Sequence, residues 1–120
     1  MVLVDTSVWV SHLRHGERGL ESLLTDASVM THDFIIGELA CGHLKSRSEI
    51  LSLLEALPSV PIVSHEEILL FIDHHSLDRQ GLGLIDVHLL ASAKLANIPL
   101  WTLDQRLNHA AAKLKLSNAG

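Results

Sequence analysis

Two hydrophobic periods alternate along this chain. Val2-Leu3-Val4 is a short unbroken apolar run closed by Asp5, the pattern of a strand buried on both faces. Ser28–Thr31 and Ile98–Thr102 read as further strands, with Pro99 near the start of the second, where a strand tolerates it. Pro58 and Pro61 mark off a brief strand around Val60–Val63. Between these runs the spacing turns helical. Asp5-Thr6-Ser7 offers three N-caps for a helix through Val8, Trp9 and Leu13, and a second helix follows Gly16 and Gly19 near Leu20–Thr25. Asp33 is positioned to cap a helix from Phe34 to Cys41 that Gly42 stops.

Ile50, Leu53, Leu54 and Leu57 share one helical face over Ser46–Leu57. Ser64 and Glu67 form a capping box ahead of Ile68, Leu69, Phe71 and Ile72, in a helix predicted to run toward Arg79. After the Gly81-Leu82-Gly83 loop, Leu84–Ala96 is alanine- and leucine-rich helix with Asn97 as a left-handed cap; the last helix spans Asp104–Leu114 and Ser117–Gly120 reads as a frayed tail. Strands alternating with helices predict a short, mainly parallel sheet covered on both faces, an α/β chain forming one three-layer α/β/α domain over residues 1–120.

Composition narrows the class. The chain of 120 residues is 48% hydrophobic and 19% charged, which suits a packed core rather than a disordered segment. Its longest apolar run, Ile68–Ile72, is far short of a membrane span, and Met1–Val4 reach Asp5 before any secretory apolar region develops. The single cysteine, Cys41, excludes an internal disulfide and a cysteine-based zinc site, and a reducing cytoplasm is the simplest setting. The formal charge of −5, from nine basic and fourteen acidic residues, argues against a protein that grips nucleic acid through a broad basic face, unless cations neutralise some of the acids.

The positions of those acids matter most. In open parallel sheets ligands gather beyond the carboxyl ends of the strands. Asp5 ends the first strand, Asp104 follows the strand through Trp101, and Asp86 opens a helix just after a glycine loop. Glu38 interrupts the apolar stretch Phe34-Ile35-Ile36-Gly37-Glu38-Leu39-Ala40. Each has an ordinary explanation: Asp5, Asp86 and Asp104 as helix caps, Glu38 on a solvated helix face. Together on one rim they would repel one another unless cations bound between them. Magnesium and manganese choose such oxygen ligands, and two ions about 3.5–4 Å apart serve phosphodiester cleavage. Cancelling four negative charges takes the formal charge from −5 to −1.

Four segments carry a family likeness. Val2-Leu3-Val4-Asp5-Thr6-Ser7-Val8-Trp9 resembles the opening of PIN-domain nucleases, above all the VapC-type toxins of toxin–antitoxin pairs. Ile36-Gly37-Glu38-Leu39-Ala40-Cys41-Gly42, Leu84-Ile85-Asp86-Val87-His88-Leu89-Leu90-Ala91-Ser92-Ala93 and Leu100-Trp101-Thr102-Leu103-Asp104 resemble the second, third and fourth motifs, in order and over nearly the whole chain. The resemblance implies metal-site carboxylates at Asp5, Glu38, Asp86 and Asp104, with Thr6, Ser7 and Thr102 supporting the ligands or their waters. It implies Mg²⁺- or Mn²⁺-dependent hydrolysis of RNA phosphodiesters by activated water, homodimers, and inhibition by a small cognate antitoxin protein. Many relatives place an aromatic residue shortly after the fourth acid; Arg106-Leu107-Asn108 stands here instead, leaving Asn108 a weak candidate for a further ligand.

Other features read as structural. The nine histidines lack zinc-site spacing: His12 and His15 can share a helix face, while His74-His75 are predicted to point to different faces. His88 is expected beside the site or in a dimer interface. Asp73, Asp78 and the remaining glutamates suit solvated surface, and Trp9 and Trp101 suit core packing. Arg14, Arg18, Lys45, Arg47 and Lys113 are scattered; Arg79 and Arg106 lie near enough in sequence to the acids to be candidates for phosphate contact. Ser7, two residues after Asp5, excludes a haloacid-dehalogenase-like motif, and the paired acids and late lysine of a receiver domain are not evident. The competing class is a non-catalytic RNA- or protein-binding module with the same fold, which need not keep all four acids.

Overall fold

The structure, a computed structural model, describes residues 1–118. Strand β1 (Val2–Val4) is the centre of a three-stranded sheet of order β2-β1-β3, with β2 at Val29–Met30 and β3 at Leu100–Trp101. Both pairings are parallel: Val2 and Leu3 sit opposite Val29 and Met30, while Leu3 and Val4 sit opposite Leu100 and Trp101. Successive strand residues face opposite ways, and Leu3 and Val4 are both fully buried, so both faces of the sheet are covered. The chain steps from β1 to one neighbour and then back across to the other. Right-handed crossovers in those opposite directions place the connections on opposite faces.

The helices are α1 (Thr6–His15), α2 (Arg18–Thr25), α3 (Asp33–Cys41), α4 (Arg47–Glu55), α5 (His65–His74), α6 (Leu84–Ala96) and α7 (Gln105–Lys113). Helix α6 is the interior one. Val87 through Ala93 are buried without a break, as in a helix apolar all round, and the Ser92 hydroxyl donates to the Pro61 carbonyl at 2.7 Å so that its burial leaves no orphan. Trp9 packs in the core, and the half-buried Trp101 ring lies against Gly19, where an added Cβ would stand 3.2 Å from it.

Several element ends differ from the sequence expectation, each for a local reason. The strand expected over Val60–Val63 is reduced to a parallel bridge between Ser59 and Thr31, because Pro61 has no N–H to continue the ladder. Asp33 is not the cap of α3: His32 is extended and its Nδ1 accepts the Phe34 N–H at 2.9 Å, leaving Asp33 in the first turn, where the helix dipole favours it. Helix α5 stops at His74 rather than near Arg79. Ser76 turns left-handed, Leu77 N–H reaches back to Ile72 C=O, and Leu77 is buried beyond it. Because the helix ends there, the His74 and His75 rings do not diverge but meet edge-on at 4.6 Å. The same left-handed closure ends α2 at Ala27, α6 at the expected Asn97 and α7 at Lys115. The tail is not frayed at its start: Ser117 bridges Leu100 and Asn118 N–H donates to its carbonyl, while residues 119–120 lie outside the described residues.

Candidate active site

Three helix N-termini meet near the carboxyl ends of β1 and β3, each bearing an acid. Asp5 caps α1, Asp104 caps α7 through its Oδ1 and the Leu107 N–H (3.1 Å), and Asp86 Oδ2 accepts the Gly83 N–H (2.9 Å) at the start of α6. The ordinary cap reading is therefore correct for all three, and incomplete. Each cap uses one carboxylate oxygen. Among the described residues, no donor reaches Asp5 Oδ1, Asp86 Oδ1 or Asp104 Oδ2.

Asp5 is the most firmly held. Its Oδ2 accepts the hydroxyls of Ser7 and Thr102, both at 2.7 Å, and lies 3.4 Å from the Ser7 N–H. With each hydroxyl proton committed to Asp5, the 3.2 Å contact between Ser7 and Thr102 is a side-by-side one. Their lone pairs face the other way: Ser7 Oγ accepts Leu103 N–H at 2.9 Å and Thr102 Oγ1 accepts Asp104 N–H at 3.0 Å. This brace ties the end of β1 to the loop after β3 and sets Asp104 beside Asp5. Hydrogen bonds to a carboxylate are roughly twice as strong as neutral ones.

Glu38 arrives by another route. Helix α3 packs against α1, and the Thr6 hydroxyl donates to Glu38 Oε1 at 2.8 Å, leaving Oε2 without a donor among the described residues. Glu38 is exposed, so the partner that burial would have required is not a burial device. Asp86 is pushed up from the usual carboxylate range, first by burial and then by the charges of Asp5 and Asp104, against a lowering contribution from Gly83 N–H. Those neighbours put three aspartates in one electrostatic group, with Glu38 at its Thr6 side.

Oxygen-only donors, one free oxygen per acid and mutual repulsion fit a hard divalent cation. The spacing is looser than a coordination shell: among the described residues no three carboxylate, imidazole or thiol groups stand close enough to grip one ion.

The other candidates fall outside this group. Asn108 Oδ1 accepts the Ser117 hydroxyl at 3.0 Å and serves the tail. Arg79 is almost wholly solvated, 4.0 Å from Asp78. Arg106 does reach the glycine loop: its side chain lies 3.0 Å from where a Cβ on Gly81 would stand, and Gly81 is left-handed there (φ 73°). His88 is buried against Phe34 and near His32, rather than being free to act at the rim. A cleft of about 680 Å³ that was not legible in the sequence reaches Thr6 and Glu38; its floor is largely apolar, and Arg14, His15, His43 and Lys45 stand among its lining residues. The cations come from two segments far apart in sequence, so no motif could have announced them.

A family model described as PIN domain matches residues 2–113. The chain is 43% identical over 114 residues to Ribonuclease VapC32 of Mycobacterium tuberculosis, in both the CDC 1551 and H37Rv strains, covering 94% of this chain and 92% of the relative. PAE2754 of Pyrobaculum aerophilum, whose crystal structure is known, superposes with a TM-score of 0.66 over 91% of this chain and 83% of that one, at 16% identity. That likeness bears on the fold.

Proposed function

The chain belongs to the PIN-domain family, and from that premise we propose that it is a divalent-metal-dependent endoribonuclease, the toxin of a toxin–antitoxin pair. The observation that carries the reading is the rim of four acids, each holding the fold with one oxygen and presenting the other. The 43% identity to a protein named Ribonuclease VapC32 supports the substrate class.

In this reading Asp5, Glu38, Asp86 and Asp104 hold Mg²⁺ or Mn²⁺. Bound metal supplies the Lewis acidity that activates water and stabilises the leaving oxygen. Ser7 and Thr102 fix the Asp5 carboxylate, Thr102 also fixes the Asp104 backbone, and Thr6 aims Glu38. Gly83 N–H keeps Asp86 turned toward its helix start. No serine or histidine is assigned nucleophilic work: both site hydroxyls already spend their protons on Asp5, and His88 is buried.

The reading extends to a cytoplasmic protein working as a homodimer and restrained by a small antitoxin. Among the described residues no helix is long and apolar enough to cross a membrane. Leu69 and Leu70 on α5 and Leu95 on α6 are exposed apolar residues of the kind a two-fold contact covers. Light scattering at micromolar protein is expected to give twice the chain mass; a monomer rejects the dimer. For the activity itself, purified protein is expected to cut RNA with Mn²⁺ or Mg²⁺ and to stop on chelation, while Asp5→Asn cuts none. RNA left whole by the wild type in every divalent ion defeats the proposal.

A further inference from the structure

Four buried polar side-chain atoms have no hydrogen-bond partner among the described residues: Trp9 Nε1, Thr31 Oγ1, His32 Nε2 and His88 Nδ1. The last two belong to one ring cluster. Phe34 stands 4.9 Å from the His32 ring and 4.9 Å from the His88 ring, and the two imidazoles are 6.4 Å apart at 67°. An unpaired donor or acceptor in the interior is costly, so two in one cluster call for a shared partner.

The hydrogen bonds already made decide what that partner is. His32 Nδ1 accepts the Phe34 N–H at 2.9 Å, so in the neutral ring that burial favours, the proton sits on Nε2. A protonated nitrogen cannot ligate a metal, which removes a cation from consideration. Nor can it bond His88 directly. With ring nitrogens about 1.2 Å from their centroids, the two stand at least about 4 Å apart, beyond hydrogen-bond length. A single water suits both, since two bonds of about 2.9 Å meeting near the tetrahedral angle span about 4.7 Å. It accepts from His32 Nε2 and donates to His88 Nδ1, which puts the His88 proton on Nε2.

We propose that one ordered water bridges His32 Nε2 and His88 Nδ1 and forms a buried joint between α3 and α6. The main packing of α3 is against α1 and α4, and that of α6 against α5 and β3; the ring cluster and its water join the two helices directly. His32 caps α3 six residues before Glu38, and His88 follows Asp86 by two residues on α6. The joint therefore sets the helix bearing Glu38 against the helix bearing Asp86. This second step rests on the metal-site reading, and in it His32 and His88 are positioning residues.

NMR of the metal-free protein at neutral pH reads the joint itself. Both rings are expected as the Nε2–H tautomer, with a cross-peak between the His32 Nε2 proton and a long-lived water. His88→Leu should abolish that cross-peak, whereas His88→Asn, whose Oδ1 takes the place of Nδ1, should keep it. Calorimetric titration with Mn²⁺ reads the positioning. Its Kd is expected to rise several-fold in His88→Leu and to return toward the wild-type value in His88→Asn. His32→Asn, which keeps the cap on Phe34 N–H but loses the Nε2 donor, should weaken Mn²⁺ binding as His88→Leu does. A His88 ring protonated on Nδ1, or a His32 Nε2 proton without a water contact, overturns the joint. An unchanged Kd in both His88→Leu and His32→Asn overturns the positioning role. Wild-type protein that binds no Mn²⁺ counts against the metal-site reading, while tautomers and water contact still decide the joint.

Discussion

Helix α3 with its cap His32, and helix α6, each present two groups of metal-binding chemistry, and they treat them oppositely. At the rim stand Glu38 and Asp86, each held through one oxygen with the second open. Inside stand His32 and His88, with Phe34 between them at ring distances of 4.9 Å. His32 Nδ1 is taken by the Phe34 N–H, which fixes the proton on Nε2, and that buried donor has no acceptor among the described residues; His88 Nδ1 is likewise buried and unpaired. Burial lowers the pKa of both imidazoles, with His88 adding to the effect on His32 and His65 to that on His88. Asp86 resists its charge first because it is buried and then because Asp5 and Asp104 stand near it; His32 and His88 resist theirs because they are buried beside other imidazoles. An added cation would relieve the carboxylate and not the imidazoles. Residue type alone therefore does not single out the proposed metal site; open lone pairs and repelling neighbours are what support it.

The widest separation between the two regions should appear in catalysis. Asp5→Asn or Asp104→Asn is expected to cut RNA cleavage by at least about 100-fold, since removing even one transition-state donor has that effect in other enzymes. The fold should survive, because an amide oxygen still accepts the cap bonds; circular dichroism checks this. His88→Ala or His12→Ala should lower activity only modestly. A histidine variant as inactive as the aspartate variants would erase the distinction.

A smaller effect is expected at the brace. Thr102→Val keeps the shape but removes the donor to Asp5 and leaves Asp104 N–H without its acceptor, costing about 1–3 kcal/mol of stability. Activity should fall well short of the aspartate losses. Unchanged denaturant midpoint and rate would mean that the hydroxyl holds nothing.

Metal and pH separate the two regions through melting temperature. Mn²⁺ or Mg²⁺ should raise it in the wild type and much less in Asp86→Asn. A raised carboxyl pKa means the folded state pays for ionisation: the penalty is absent below the unfolded value and complete above the folded one. Without metal, then, Asp86→Asn should be the more stable form at neutral pH and lose that advantage in acid. A lowered imidazole pKa works the other way. His32 favours folding above its unfolded value near 6.5, and that contribution is lost as pH falls toward the folded value. Melting temperature should drop between pH 7.5 and 5.5, and drop less in His32→Asn, which can still cap α3. Parallel curves for wild type and variant would remove His32 from the account.

What the sequence displayed follows the same division. Acids at strand ends were legible because a parallel sheet sends its strand ends to one rim, and Asp5, Asp86 and Asp104 sit where strands stop or helices start. The interior helix Leu84–Ala96 was legible from its apolar run. The histidine cap was not, since His32 stands beside Asp33, a far commoner cap. Left-handed closures at Ala27, Ser76 and Lys115 were not, because nothing but tertiary packing holds such residues there. Arg14 and Lys45 looked like scattered surface charge until the packing of α1 against α3 brought them around one cleft with Glu38.

If carboxylates and a cation, rather than an imidazole or the ribose itself, drive the reaction as proposed, the ends of the cut RNA report it directly. Attack by water with departure of the 3′ oxygen leaves 5′-phosphate and 3′-hydroxyl termini, and these are the ends expected when RNA cut by the Mn²⁺-loaded protein is mapped. Termini carrying 2′,3′-cyclic phosphate, or cutting that continues undiminished in chelator, would contradict it.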